Sequence, residues 1–285
     1  MAPICTPFAP DGEIDHGALR RNIAKYNPTG LLGYVVAGST GEAALLDRDE
    51  KLAIFQTVRE SASDGKILIA GTAAESVRET VGLIARAAEI GYHAALVITP
   101  HYYRAQMARP ETQVAFFRSV ADASALPLLI YNFPQMTGID LPVEVVRQLA
   151  DHPNIIGIKE SSADLDKVGS LTGGLPDAFR VLVGSSAKFH ECLSLGAIGG
   201  ILAVANALPE RAQFIYDRYR SGNIEGSHDA QKAIVDVAGV APRYGVQGLK
   251  YGMDLKGYFG GPARLPLLPL DAQEKKEIAA LFGNI

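Results

Sequence analysis

The run NIIGIKE, residues 154–160, is a β-branched apolar stretch that stops at a lysine and a glutamate. Ile155, Ile156 and Ile158 show no in–out alternation. A continuous apolar run of this length is the pattern of a parallel strand covered on both faces. Comparable runs recur along the chain, giving predicted strands at 3–6, 33–37, 67–71, 94–99, 127–131, 155–159, 180–184 and 200–204. Amphipathic segments separate them. Residues 47–63 open with acids and repeat apolar residues at helical spacing, and residues 75–91 do the same and stop at Gly91. Strand and helix in alternation predict a parallel α/β fold, and eight units within roughly 220 residues suit a closed (β/α)₈ TIM barrel. A doubly wound sheet would place a glycine-rich turn after its first strand. Here PFAPDG, residues 7–12, follows instead, and no G-x-G-x-x-G occurs. The barrel is predicted over 1–220. Residues 221–285, which include GYFGGPARLPLLPL at 257–270, carry helical periodicity without strand signals and are predicted to form a C-terminal helical appendage.

With 48% hydrophobic residues in 285, the chain can bury a large core. The net charge of −4 is spread evenly, so no basic block points to nucleic acid and no acidic tail points to disorder. Cys5 and Cys192 are too few for a disulfide framework and lack metal-ligand spacing. No apolar run reaches membrane-spanning length, and residues 1–5 show no charged leader before an apolar segment. The expectation is a soluble cytoplasmic protein.

In a barrel of this kind, chemistry gathers where the strands end. Those ends read Gly38-Ser39-Thr40-Gly41-Glu42, Thr99-Pro100-His101-Tyr102-Tyr103, Tyr131-Asn132, Lys159-Glu160-Ser161-Ser162 and Gly184-Ser185-Ser186. Each turns polar as the apolar run stops. Lys159 has two readings: a stem in the core with its amine led out to water, or an amine in a dry site, where loss of charge makes it a nucleophile. Attack on a ketone would then give a Schiff base that draws electrons, with a nearby phenol moving protons. The segment 38–42 also has two readings, a tight βα turn or a cradle of amides and hydroxyls for a carboxylate. The six histidines show no H-x-H or H-E-x-x-H pattern, and HECLS from His190 lacks a second histidine. His93 and His152 read as structural, and His101 has no carboxylate or cysteine beside it in sequence. A metal site is not predicted.

Three motifs, GSTGE at 38–42, YNFPQMTG at 131–138 and NIIGIKESSAD at 154–164, occur in an order and spacing that resemble the dihydrodipicolinate synthase / N-acetylneuraminate lyase family of class I pyruvate-dependent aldolases. The resemblance runs from Pro3 to the C-terminus. It implies that Lys159 is the imine-forming lysine, with no cofactor besides that covalent imine, and that Tyr131 shuttles protons with help from Thr40. It implies further that Ser39, Thr40 and Gly41 hold the oxo acid's carboxylate, that Tyr102 is donated across a dimer interface, and that Ile201 lies by pyruvate. A homotetramer built as a dimer of dimers is the implied assembly.

One departure bears on the substrate. Dihydrodipicolinate synthases usually carry an arginine in the loop after the tyrosine strand, and this chain has Met136 there. A thioether cannot make the bidentate carboxylate contact of a guanidinium. TPHYYRAQM at 99–107, TGIDLPVEVV at 137–146 and YFGGPARLPL at 258–267 resemble the 4-hydroxy-2-oxoglutarate aldolase branch. The expected reaction is therefore cleavage of a 4-hydroxy-2-oxo acid, 4-hydroxy-2-oxoglutarate first, to pyruvate and an aldehyde such as glyoxylate. Ser185 would line the distal pocket, with Arg104 adding charge near it. The alternatives are dihydrodipicolinate synthase, joining pyruvate to aspartate semialdehyde, a sugar-acid aldolase or dehydratase, and a non-catalytic barrel that binds an oxo acid.

Overall fold

Apolar runs too short for helices and rich in Val, Ile and Leu become strands with both faces covered. In the computed structural model, which describes residues 1–285 apart from Ala73 and Asn284, they form β1 (Ala2–Pro3), β2 (Gly33–Val36), β3 (Ile67–Gly71), β4 (Ala94–Ile98), β5 (Leu128–Asn132), β6 (Ile155–Glu160), β7 (Arg180–Val183) and β8 (Gly199–Gly200). The sheet takes them in sequence order, and β1–β2 and each neighbouring pair from β3 to β8 are parallel. All five residues of β5 are buried, as the unbroken apolar run predicts.

The chain divides into two compact units, residues 1–68 with 202–285, and residues 69–201. In the second, helices alternate with strands. Val77–Ile90 starts at Ser76, whose hydroxyl accepts from the Glu79 amide, and stops at Gly91 with φ +97°. Pro110–Ala123 begins on a proline, whose missing N–H costs nothing at a helix start. Phe117, Val120, Leu128, Ile130, Leu149 and Ile158 fill its core.

In the first unit, the acids that open 47–63 form a capping box. Asp47 accepts from the Glu50 amide and the Glu50 side chain accepts from the Asp47 amide, starting helix Arg48–Ser61. The first and last predicted strands are shorter than the apolar runs. β1 stops at Pro3 because Asn206 takes over the neighbouring backbone groups: its Oδ1 accepts from the Cys5 amide at 3.1 Å and its Nδ2 donates to the Pro3 carbonyl at 2.8 Å. A side-chain amide thus occupies a ladder position, and Ala203–Asn206 coils into a 3₁₀ turn instead of extending β8. Helices Pro209–Arg220, Ile224–Ala238, Val240–Leu255 and Ala272–Gly283 follow. Tyr258 stacks on Tyr26 with centroids 4.7 Å apart, and Asn22 exchanges two hydrogen bonds with the Phe259 backbone. No helix among the described residues is long and apolar enough to cross a membrane.

Candidate active site

Parallel pairing places residues of β5 and β6 side by side, and the two-residue repeat of a strand sends successive side chains to opposite faces. Tyr131 is paired with Lys159 and Asn132 with Glu160. One face therefore carries a phenol beside an amine, and the other an amide beside a carboxylate.

On the first face, Lys159 Nζ lies 4.0 Å from the centroid of the Tyr131 ring. Both residues are only 4% exposed. The ring covers the amine and also stacks on Phe133, with centroids 5.7 Å apart. Lys159 is thus enclosed and not led out to water. Gly184, just past β7, leaves room for it. A side chain there would collide with Ser161 Oγ and come within 3.2 Å of Lys159 Cε. Ser161 Oγ is itself buried without a hydrogen-bond partner, so a hydroxyl able to donate or accept lies beside the lysine stem.

On the second face, the polar groups are fully engaged. Asn132 Nδ2 donates to Glu160 Oε2 at 2.8 Å and to Asp140 Oδ1 at 2.7 Å, while its Oδ1 accepts from the Leu141 amide. Glu160 Oε1 accepts from the Ser162 amide at 2.6 Å. Lys167 closes the set, with Nζ 2.5 Å from Asp140 and 3.6 Å from Glu160. This network locks the two strand ends against each other, so the backbone that carries Tyr131 and Lys159 cannot slide. Sequence reading assigned no role to Asn132, Glu160 or Lys167. For Asn132 and Glu160 the available signal was their position, one residue beyond Tyr131 and Lys159, and Lys167, within helix Leu165–Thr172, offered none.

Ser39, Thr40 and Gly41 belong to the first unit, where they form a 3₁₀ turn capped by Gly38, with both hydroxyl residues half-buried. Thr6 Oγ1 donates to the Gly41 carbonyl at 2.6 Å. Glu42 ends the turn in the left-handed region, φ +58°, which a non-glycine side chain adopts only when its surroundings hold it there.

Other predicted residues have separate surroundings within the chain. Tyr102 is 78% exposed and its ring packs edge-on against Tyr103, not on Tyr131. Its loop is held by Glu75, whose Oε2 accepts from the His101 and Tyr102 amides, both at 3.0 Å, and whose Oε1 lies 3.1 Å from His101 Nδ1. His101 thus has a carboxylate partner that its sequence neighbours did not reveal. Ser185 is half-buried beside Gly184, and Ile201 is buried with its amide bonded to the Val183 carbonyl at 2.8 Å. Met136, 65% exposed, lies in the short helix Pro134–Thr137, and Arg104 rests its guanidinium against Gly138 just beyond it. His152 Nε2 lies 3.0 Å from Asp122 Oδ1. Among the described residues, no group of three or more potential ligands could hold a metal ion.

The model of the dihydrodipicolinate synthetase family matches residues 1–284. A 4-hydroxy-tetrahydrodipicolinate synthase from Xanthomonas campestris is 34% identical over 288 residues, covering all of this chain and 93% of that protein. The 4-hydroxy-tetrahydrodipicolinate synthase of Methylacidiphilum fumariolicum superposes with a TM-score of 0.94 at 27% identity, covering 99% of this chain and 94% of that one. A prophage protein of the dihydrodipicolinic acid synthase family from E. coli K12, solved in complex with pyruvate, gives 0.93 at 27% identity, with 99% and 96% covered.

Proposed function

This chain belongs to the dihydrodipicolinate synthetase family of pyruvate-dependent carbon–carbon lyases, and we propose that it forms a pyruvate imine at Lys159. The supporting observation is the enclosed pair: an amine 4.0 Å from the Tyr131 ring centroid at adjacent strand ends. Lys159 adds to C2 of the oxo acid, and water leaves as the imine forms. Tyr131, relayed by Thr40, carries the protons of that step. Ser39, Thr40 and Gly41 receive the carboxylate, Ser185 and Ile201 line the site, and Tyr102 is supplied by a second copy in a cytoplasmic homotetramer. The barrel spans 1–220 and the helical segment 221–285.

The imine is an electron sink in both directions. It stabilises the enamine that attacks an aldehyde, or the one left when C3–C4 breaks. The curated relatives are named 4-hydroxy-tetrahydrodipicolinate synthases, which supports condensation with aspartate semialdehyde as the first reading. Two features of this chain support a second, cleavage of 4-hydroxy-2-oxoglutarate to pyruvate and glyoxylate. Met136 provides no charge for an amino-acid carboxylate. Ser161 Oγ, buried and unpaired beside Lys159, suits a substrate hydroxyl.

Borohydride reduction in the presence of pyruvate should add one pyruvate-derived mass to the wild type and none to Lys159→Ala. An adduct on the variant would sink the assignment, and no adduct on the wild type would return the chain to a non-catalytic binder. Parallel assays then separate the branches: consumption of pyruvate with aspartate semialdehyde, against pyruvate release from 4-hydroxy-2-oxoglutarate through a coupled dehydrogenase.

A further inference from the structure

Glu42 follows directly on the Ser39–Gly41 turn, and its carboxylate is sealed in the first unit. Lys250 Nζ lies 2.5 Å from Glu42 Oε1, with side-chain exposures of 0% and 1%. That oxygen makes no hydrogen bond of good angle, so the contact is a close ion pair without directional bonding. Lys250 also donates to the Pro262 carbonyl at 2.8 Å and sits 4.5 Å from the Phe8 ring centroid. Arg264 completes the enclosure. Its amide donates to Glu42 Oε2 at 2.8 Å, its guanidinium lies 4.4 Å from the Phe8 centroid, and it donates to the Leu45 carbonyl and, through two nitrogens, to Glu50. The segment's close packing is specified by Gly260, where any side chain would overlap the Lys250 backbone.

A buried charged pair is weak evidence for stability alone, because desolvation offsets much of the attraction. Its distinct effect here is on shape. It keeps Glu42 in a left-handed conformation that a free chain avoids, and so fixes how the preceding turn presents Ser39 and Thr40. We infer that Glu42, gripped by Lys250 and Arg264, is a positioning residue for the carboxylate-binding turn, so that residues 250–264 set the affinity for the 2-oxo acid. This rests on the proposed roles of Ser39 and Thr40.

The test measures pyruvate dependence of a short borohydride pulse, together with thermal stability, on the full chain. Lys250→Met should raise half-saturating pyruvate by about tenfold or more, with the trapped fraction at saturation unchanged. The double variant Glu42→Gln/Lys250→Met removes the stranded carboxylate. It should regain thermal stability while half-saturation stays high. Recovery of both together would mean that the pair only supports folding, and would overturn the inference. So would half-saturation within about twofold of wild type in both variants. If Lys250→Met does not fold, the double variant carries the test alone, since it removes both the Lys250 amine and the Glu42 charge, and half-saturation within about twofold of wild type overturns the inference. A wild type that is never trapped would overturn the imine reading and this inference with it, whereas trapping with unshifted variants overturns the inference alone.

Discussion

Glu42 and Glu160 are alike in chemistry and opposite in reach. Each stands one residue past a proposed functional group, each is almost fully buried, and each faces a lysine. The partners of Glu160 come from neighbouring βα units: Asn132 is 28 residues away, and the Lys167–Asp140 contact spans 27. Glu42 is held by Arg264 across 222 residues. Local elements therefore suffice to fix the amine beside its phenol, whereas the turn assigned to the carboxylate depends on a segment near the far end of the chain. Damage to the first network should reach chemistry, and damage to the second should reach binding.

The largest effect is expected from Glu160→Ala. It leaves Lys167 with only the half-exposed Asp140 and strands one Asn132 N–H and the Ser162 amide. Breaking a buried pair costs about 3–5 kcal/mol, and a small displacement of Lys159 lowers kcat by about a hundredfold. Urea unfolding and steady-state kinetics would read both, with half-saturating pyruvate nearly unchanged. A raised half-saturation with intact kcat would erase the contrast. Gly184→Ala comes next. The new methyl overlaps Ser161 Oγ and presses on Lys159 Cε, an overpacking that costs about 1–3 kcal/mol and slows imine trapping.

A smaller effect concerns Glu50, whose carboxyl is held below its usual range first by the hydrogen bonds from Arg264. A carboxyl with a depressed folded pKa stabilises the protein above its unfolded value and loses that contribution as pH falls through the folded value. Glu50→Gln should therefore lower Tm modestly at pH 7, and the difference from wild type should begin to shrink below the ordinary carboxylate value of roughly 4.3 and vanish only below the depressed folded value. A gap that persists in acid would mean that the Arg264 fork acts through shape alone.

Thiol labelling gives the finest comparison, since each unit buries one free cysteine. Burial pushes the Cys5 thiol up to about 12 and the Cys192 thiol up to about 11. Neither should react with an alkylating reagent at pH 8 until its surroundings open. Lys250→Met should make Cys5 react well before Cys192. Equal acceleration would show that the Glu42 network reports on the whole fold and not on its own unit.

The strands were legible because parallel strands under helices need continuous apolar runs, and residues 128–132 and 155–160 supply them plainly. Tyr131 and Lys159 were legible for a related reason, since neighbouring strand ends of a parallel sheet bring their last residues together. Glu160 was not. A carboxylate at the end of an apolar run looks the same in sequence whether it meets water or a buried lysine. Lys250 and Arg264 were further out of reach, because their charges read as the polar faces of a helix and a loop, and only the folded chain brings the Lys250 amine and the Arg264 amide to Glu42. Residues 200–204 read as a strand because nothing local distinguishes Asn206, whose side chain fills the place further strand residues would have taken.

The asparagine that stands in for a strand residue also sets a schedule for a chain made from its N-terminus. Cys5 finds its partner 201 residues later. At synthesis rates of about 5–20 residues per second, the apolar segment at 2–6 waits roughly 10–40 s before that partner exists. All of residues 69–201 emerge in that interval, so the unit that carries the lysine can consolidate while the opening segment, paired with β2, still lacks Asn206. A ribosome paused before residue 206 would leave the backbone around Cys5 open to protease while the Lys159 region is already protected.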